Sequence, residues 1–467
     1  MKENKEIFEH PENLLSEFED IDHEKWHETA VRSLKGKPFD KIIKTALEGF
    51  EIHPIYNQSD AEKSTDPNAM PGFFPYGRGS KSGGYILKKW DVAQEIPYPS
   101  PDLLNSALKK DLSKGQTSIS IILDDLSKKG KNPVSNDDLF KNGTSVFSSD
   151  DLKKIFNDID IKNIPVYLNA GIASIAHFSL LTDHFKDQNI ELRELTGGLF
   201  FDPIAFALDP VYKNVNIDLL YEQQRSILQW KTSNMPDFRT LSVNSSIYHE
   251  AGCDAAQEVA FSIAAGTQHL RSLQSNDMTI DKIANDLIFN VSFGPAFFIE
   301  IAKIRAMRKL WAKIVSEFGG SEDSAKIYLY ARTSGSNKSK LDFHVNMIRN
   351  TTEALSAIFS GADAIHVGFF DERFGIPGEF SRRVSRNTQL VLMEECNLPD
   401  VIDPVGGTWF VEKLTDEIAK RSWDLFIEIE KSGGMQKAIE KGFVQNKIKE
   451  KADKRINDLA MRKDILV

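Results

Sequence analysis

The chain contains very little cysteine, which limits the ways it can be held together. Cys253 and Cys396 are its only two cysteines in 467 residues, too few for a disulfide framework. No Cys-x-x-Cys motif exists, so a zinc or redox site built on thiols is not expected. The sequence predicts two free thiols in a reducing compartment.

An excess of positive charge is also missing. The net charge is −10 and the isoelectric point is about 5.6, whereas nucleic-acid-binding domains usually carry a basic face. We therefore expect no nucleic-acid partner. An anionic small molecule would need a local basic pocket to bind against this background.

Long apolar runs are absent as well. No stretch reaches the roughly 18 residues of a transmembrane helix, and no apolar segment of a signal peptide follows the charged residues 1–6. The sequence thus predicts a cytoplasmic protein with no membrane partner. Its 41% hydrophobic and 27% charged residues are typical of a globular protein with a large core.

Beyond residue 84, short β-branched and apolar runs alternate with longer amphipathic segments. The strand-like runs are Thr117–Leu123, Ile164–Leu168, Leu195–Phe201, Thr240–Ser245, Leu287–Ser292, Lys326–Ala331, Ala364–Val367 and Leu390–Glu394. The clearest helical segments are Glu250–Leu273 and Ala296–Phe318. Strands that alternate with helices indicate a parallel α/β sheet. Eight such units favour a closed (β/α)8 TIM barrel over an open sheet.

Three regions are expected along the chain. Residues 1–56 are charged and helix-like, and they predict an N-terminal helical arm. Residues 57–414 carry the alternation and predict the barrel. Residues 415–467 predict a C-terminal helical tail that packs on the barrel.

Common nucleotide-binding and hydrolase motifs are missing. The sequence has no Gly-x-Gly-x-x-Gly, no Walker A motif and no Gly-x-Ser-x-Gly, and we expect no metal site. One distinctive loop is Tyr76-Gly77-Arg78-Gly79, whose glycines permit a sharp turn and whose arginine could contact a phosphate. On composition alone, a structural loop with a solvated arginine is the commoner explanation.

Several longer motifs become informative when they are taken together. They are Pro75–Gly79, Ile247–Gly252, Glu300–Ala306 followed by Leu310–Lys313, Ala331–Gly335, Phe380–Leu390, Val401–Pro404 and Gly433–Met435. In this order the chain resembles the methylmalonyl-CoA mutase family of cobalamin-dependent acyl-CoA mutases. The resemblance implies a barrel in which adenosylcobalamin supplies a radical and the acyl-CoA thioester lies along the barrel axis.

The resemblance also implies which positions carry the chemistry, and they are altered here. The family places a tyrosine near the adenosyl group, where this chain has Glu95. It places a Tyr-His pair ahead of Glu250–Gly252, where this chain has Ser246 and Ile247. It places a glutamine on the third strand, where this chain has Phe200. Loss of a positioned donor or acid typically costs about 10²–10⁴ in rate, so we predict no catalytic residue.

A Tyr-His pair does occur at Tyr248-His249, but it is two residues out of register. In an extended segment this offset moves a side chain by about 6–7 Å, too far for the same hydrogen bond. Phe200, Tyr167 and Phe289 are expected to plug the barrel partly, and His366 is expected to be a core histidine. The ligand-binding candidates are Tyr76, Arg78, His249, Arg332 and Ser334.

The family's cobalamin-binding domain carries an Asp-x-His-x-x-Gly motif. Asp342-Phe343-His344 matches in part, but Met347 stands at the glycine position. We therefore expect this chain to have no cobalamin-binding Rossmann-like domain and to bind no cofactor alone. The resemblance then implies a non-catalytic small (beta) subunit of a heterodimeric mutase, whose homologous catalytic (alpha) subunit holds the adenosylcobalamin.

Two alternatives stay open from the sequence. One is a catalytic acyl-CoA mutase barrel that works with a separate cobalamin-binding subunit, and Glu95 and Ile247 argue against it. The other is a non-catalytic acyl-CoA-binding module, which would need an open, basic channel mouth near Arg78 and Arg332.

Overall fold

The computed structural model describes residues 21–62, 66, 68–132, 142–212 and 215–467. The chain forms two compact units, one ending at Tyr56 and one beginning at Asn57. None of the helices in the described ranges is long and apolar enough to cross a membrane.

The first unit contains one helix and a small hairpin. Its elements are α1 (His23–Ser33), a 3-10 helix (Phe39–Ile42), β1 (Lys44–Thr45) and β2 (Glu51–Ile52). Asp22 caps α1 by accepting a hydrogen bond from the Lys25 amide. The two strands pair antiparallel, whereas the sequence predicted helices only. Strands of two residues are too short to show a periodic pattern.

The second unit alternates strands with helices. Its strands are β3 (Asp91–Ala93), β4 (Ile119–Ile122), β5 (Val166–Asn169), β6 (Gly197–Leu199), β7 (Phe238–Arg239), β8 (Leu241–Asn244), β9 (Leu287–Phe293), β10 (Tyr328–Thr333) and β11 (Ala364–His366). Its helices up to β9 are α2 (Gln58–Glu62), α3 (Gly84–Leu87), α4 (Pro101–Leu112), α5 (Asp125–Lys128), α6 (Ser149–Phe156), α7 (Ser174–Asp187), α8 (Pro203–Leu208), α9 (Ile217–Asn234), α10 (Ser246–Glu250), α11 (Ala255–Leu273) and α12 (Ile280–Asp286). The later helices are α13 (Phe297–Glu317), α14 (Asn346–Phe359), α15 (Glu379–Leu390), α16 (Trp409–Lys431), α17 (Met435–Glu440) and α18 (Phe443–Ala460).

All strand pairs of the second unit are parallel, as the alternation predicts. The ladders form a five-stranded sheet in the order β3-β11-β10-β9-β8 and a four-stranded sheet in the order β4-β5-β6-β7. The two sheets also touch at both ends. A parallel bridge pairs Glu95 with Ser120, and the Ser242 amide donates to the Phe201 carbonyl over 2.9 Å. The described ladders are therefore two sheets with linking contacts rather than one continuous ring.

Two short strands, β3 and β7, were not predicted, and one strand prediction was wrong. The strand Asp91–Ala93 was not predicted, because it has three residues and lies between charged neighbours. Leu390–Glu394 was predicted as a strand, but it ends α15 and enters a π-helix over Val391–Glu395. A short apolar run without alternation fits a buried helix end as well as a strand.

Three long helices pack together outside the five-stranded sheet. They are α11, α13 and α16. Asp254 and Gln257 form a capping box that starts α11. A Cβ at Gly266 in α11 would lie 2.6 Å from the Trp311 ring of α13, so only glycine permits this close approach. The tail boundary expected at residue 414 falls inside α16.

Substitution of Trp311 should therefore be costly. Trp311 is fully buried and its ring lies 5.3 Å from that of Phe289. We expect Trp311→Ala to lower the free energy of unfolding by about 3–5 kcal/mol, because a large cavity would remain. Denaturant unfolding measures this change. Trp409→Ala is the matched control, since that ring is 44% exposed, and a similar loss in both variants would contradict the packing argument.

Candidate functional site

Alternate strand residues from both sheets point into one shared interior. Its buried members are Ala93, Tyr167, Phe200, Ile288, Tyr330 and Ala364, with Tyr328 packed against them. We call these seven residues the axial core. The ring centroids of Tyr167 and Phe200 are 6.1 Å apart, those of Tyr167 and Tyr330 are 5.1 Å apart, and those of Phe200 and Tyr330 are 4.9 Å apart. These are contact distances for aromatic rings, so the three rings fill the interior between the strands.

The tyrosine hydroxyls of the axial core have hydrogen-bond partners within the protein. The hydroxyls of Tyr167 and Tyr328 lie 2.5 Å apart, and those of Tyr330 and Ser120 lie 3.1 Å apart. Arg239 lies over the Tyr328 ring at 4.7 Å. Burial raises the pKa of Tyr167, Tyr328 and Tyr330, so all three stay neutral and act as packed, hydrogen-bonded groups.

The prediction that Phe200 and Tyr167 fill the interior agrees with this packing, but Phe289 lies elsewhere. Phe289 packs outward against Trp311, and Ile288 faces the axial core instead. Successive side chains of a strand point to opposite faces, so the register of β9 decides which of these two neighbours points inward.

Three charged or polar side chains lie where β3, β10 and β11 end. They are Glu95, Arg332 and His366, which we call the charged trio. The Glu95 carboxylate lies 3.8 Å from Arg332 Nη1 and 3.7 Å from His366 Nε2. The Glu95 amide donates to His366 Nδ1 over 3.2 Å. His366 Nδ1 is therefore unprotonated, and its Nε2–H faces the carboxylate.

Electrostatics keeps the charged trio in one protonation state near neutral pH. Burial lowers the pKa of His366 to about 4, although Glu95 opposes this. Burial alone would raise the pKa of Glu95, but His366 and Arg332 lower it. Because His366 is neutral at pH 7, Arg332 supplies the positive charge that keeps Glu95 ionised. Burial alone would lower the pKa of Arg332, but Glu95 and other carboxylates raise it.

The segment predicted to replace the family's Tyr-His pair begins α10. Ser246 is buried and donates to the Asn290 carbonyl over 3.3 Å, and Ile247 is half-buried. The sequence analysis expected a 6–7 Å displacement of His249 because it took this segment to be extended. That assumption was wrong. The residues are helical, so two positions rotate a side chain by about 200° around the helix instead.

His249 consequently lies in a buried ion cluster. Its Nδ1 is 3.0 Å from Glu258, and Lys303 lies 2.8 Å from Glu258 and 2.5 Å from Glu300. Burial alone would lower the pKa of His249, but Glu258 raises it. These four side chains balance one another's charge, so His249 is held through its Nδ1 in an internal ion cluster.

Tyr76 and Arg78 also have internal partners. The buried Tyr76 hydroxyl donates to the Glu322 carbonyl over 2.9 Å. Arg78 donates to Glu412 over 3.0 Å, and Arg305 pairs with the same carboxylate at 2.7 Å. The cavity beside Arg78 measures about 60 Å³, room for a few waters at most. The open basic mouth required by an acyl-CoA-binding module is therefore not formed at Arg78.

Ser334 lies near the charged trio. Its hydroxyl donates to Glu250 over 3.2 Å, and the same carboxylate accepts from the Gly335 amide over 3.0 Å. Of the five ligand-binding candidates, the structure brings Arg332, Ser334 and His249 to the C-terminal ends of the strands, where Glu250, the neighbour of His249, binds Ser334. The sequence analysis missed Tyr328 and Tyr330, although their spacing before Arg332 places all three on one face of a strand.

The sequence also contains His-Glu-x-x-His at residues 23–27, a spacing typical of zinc-binding helices. It begins α1, where His23 is exposed and the His27 ring lies 4.4 Å from that of Phe39. Within the described ranges, no group of three His, Cys, Asp or Glu side chains is arranged to hold a metal ion. The motif therefore supports no metal site.

Comparison with known proteins fits this parallel α/β fold and identifies a class of isomerases. A family model described as methylmalonyl-CoA mutase matches residues 45–467. The chain therefore belongs to the methylmalonyl-CoA mutase family, whose members are cobalamin-dependent.

Three curated relatives show how the similarity is distributed. The chain is 33% identical over 461 residues to the methylmalonyl-CoA mutase small subunit of Streptomyces virginiae, covering 97% of this chain and 70% of that protein. It is 31% identical over 460 residues to methylmalonyl-CoA mutase of Cereibacter sphaeroides, covering 96% and 64%. It is 30% identical over 438 residues to methylmalonyl-CoA mutase of Escherichia coli, covering 91% and 61%. The chain thus spans under two thirds of the last two proteins.

The charged trio makes stability depend on pH. A neutral His366 with a pKa of about 4 binds its proton less readily than in the unfolded chain, where the pKa is 6.5. Stability should therefore fall as the pH drops through that window. We expect wild type to lose on the order of 2 kcal/mol relative to His366→Asn between pH 7 and pH 5. Urea unfolding at several pH values measures this, and parallel curves would contradict it.

The Glu95–Arg332 pair should show energetic coupling. Arg332→Gln leaves a buried carboxylate without its counter-charge and should cost roughly 1–3 kcal/mol. The double variant with Glu95→Gln should cost less than the two single changes added, with coupling of about 1 kcal/mol or more. The exposed pair Lys89–Glu394 is the control, where coupling should stay below about 0.5 kcal/mol. Additive effects at Glu95 and Arg332 would argue against the pair.

Proposed function

We propose that this chain is the non-catalytic small subunit of a heterodimeric, adenosylcobalamin-dependent methylmalonyl-CoA mutase. Its homologous partner subunit would interconvert methylmalonyl-CoA and succinyl-CoA. One observation carries the proposal: the axial core is closed by the contacting rings of Tyr167, Phe200 and Tyr330. A substrate that must lie along the axis has no path through such an interior.

The proposal takes the second unit to be a closed (β/α)8 barrel. The contacts Glu95–Ser120 and Ser242–Phe201 link the two sheets at their margins, and β7 and β8 are separated only by Thr240. Barrels of this type are normally filled by side chains, with function at the C-terminal ends of the strands. An aromatic axial core therefore suits a barrel with a packed interior.

Of the four positions that carry chemistry in the family, two hold polar side chains with partners in the protein, and two hold apolar side chains. Glu95 is engaged by Arg332 and His366, and Ser246 by Asn290. Phe200 and Ile247 offer no hydrogen-bonding group at all. None of the four supplies a free donor for a thioester carbonyl, which supports the absence of turnover by this chain.

Adenosylcobalamin would supply a radical when bound, and such chemistry needs an enclosed pocket that is free of competing groups. The residues at the C-terminal end of the axial core do not fit this group. Glu95 is buried there and ionised, and the rings beneath it leave no room for the substrate. We therefore assign the cofactor and the acyl-CoA to the partner subunit. The name of the Streptomyces virginiae relative, a small subunit, supports the existence of a partner.

Isomerisation assays test the proposal. We expect no methylmalonyl-CoA turnover from this chain alone or with a stand-alone cobalamin-binding protein, and turnover once a methylmalonyl-CoA mutase chain from the same organism is added. Ile247→Ala in this chain should change kcat of the complex by less than about twofold, because the reaction occurs elsewhere. Turnover without a second barrel would instead identify this chain as the catalytic one.

A further inference from the structure

A second buried charge cluster lies at the opposite end of the strands from the charged trio. It surrounds the cavity of about 60 Å³ beside Arg78. Asp363 lines this cavity directly before β11, and so do Ser360 and Gly361, which follow α14. The other walls come from residues 77–85, from α13 and from the segment ahead of α16. The cavity is therefore separate from the axial core and from the charged trio.

Two of the three arginines that line the cavity have matching carboxylates. Arg78 and Arg305 both pair with Glu412, over 3.0 and 2.7 Å. Arg305 also pairs with Asp403 at 2.9 Å, and Arg78 Nε lies 3.8 Å from the same carboxylate. Two positive charges thus face two negative charges in this part of the cluster.

Arg308 carries the charge that is left over. It is 2% exposed, and its guanidinium donates to the carbonyls of Ser360 and Gly361 over 2.6 and 3.0 Å. Among the residues that the structure describes, no carboxylate lies within ion-pair distance of it, and Asp363 already pairs with Lys81 at 2.5 Å. Burial lowers the pKa of Arg308, although Asp363 opposes this. Peptide carbonyls at a helix end carry only partial charge, so one positive charge stays uncompensated.

The guanidinium groups around the cavity also keep unused donors. The Nε atoms of Arg78, Arg305 and Arg308 are buried and make no hydrogen bond in the described part of the chain. Asp403 Oδ2 has no hydrogen bond either, but it faces Arg78 Nε. Free donors therefore remain on Arg305 and Arg308. Buried donors of this kind normally bind an ordered water or an ion.

The size and the walls of the cavity select the kind of ion. A volume of about 60 Å³ has room for a halide-sized ion with a water, but not for a nucleotide or an acyl chain. Ile358, Phe359, Leu398 and Ile402 supply its apolar wall. A monovalent anion matches the single excess charge, whereas a divalent anion would leave a buried negative charge uncompensated.

We propose that this cavity binds one chloride-sized monovalent anion against Arg308 and Arg305. The ion joins residues 77–85, α13 and the end of α14 through one shared electrostatic contact. It meets the condition that an anionic ligand of this acidic chain needs a local basic pocket. The inference is independent of the proposed function, because it concerns the other end of the strands and holds for a catalytic or a non-catalytic chain.

Chloride binding to the full chain tests the proposal. The chloride NMR line width is followed through a titration at constant ionic strength, with gluconate, which is too large for the cavity, as the balancing anion. We expect a saturable excess line width in the wild type. Lys81→Gln should raise the apparent Kd about tenfold, because it removes a positive charge and leaves Asp363 unpaired beside the ion. Lys88→Gln is the matched control and should bind as wild type, because Lys88 pairs with Asp91 outside the cavity.

Crystals grown in bromide locate the ion. The anomalous signal of bromide should give a peak in the cavity beside Arg308, and Arg308→Gln should remove both this peak and the saturable chloride binding. Only ordered water in the cavity would overturn the proposal. Bromide there without saturable chloride binding in solution would mean an adventitious ion only and would overturn it as well. Saturable binding that Lys81→Gln leaves unchanged would place the ion elsewhere and would equally contradict the proposal.

Discussion

The contact among the rings of Tyr167, Phe200 and Tyr330 is the constraint on which the rest of this structure depends. Parallel strands of this unit turn alternate side chains toward one interior, so the residues at those positions decide whether it is a passage or a packed centre. Large rings at contact distance make it packed. The strands gain stability from a solid interior, and the same rings leave no room for an elongated ligand.

The polar groups beside the ring-filled interior are buried, so they need partners within the protein. Glu95 is buried near the ends of the strands, and a buried carboxylate is tolerated only with compensation. Arg332 provides the charge and the neutral His366 provides a polar contact. Together the filled interior and the charged trio supply partners for the buried groups at this end of the strands.

The sequence was most informative where the pattern was long. Leu287–Phe293 is buried at every position and was predicted within one residue. Asp91–Ala93 was missed because neighbouring strands stabilise it, through hydrogen bonds such as Asp91 N to Asp363 O, more than its own composition does. At the site, motif alignment singled out Glu95 and Phe200. Their partners Arg332 and Tyr330 lie far away in the chain, so only three-dimensional structure could join them. His249 was misjudged because local helix geometry, which sets its direction, is invisible in a motif.

The pairing of Glu95 with Arg332 limits which substitutions either position can tolerate. A change to tyrosine at position 95 would remove the carboxylate and leave Arg332 half-enclosed without its counter-charge. Loss of the Arg332 guanidinium alone would leave the buried carboxylate of Glu95 without its counter-charge. Either single change is therefore expected to lower the stability of the protein. The two residues therefore constrain each other, so a substitution at either position is tolerated best with a compensating change at the other.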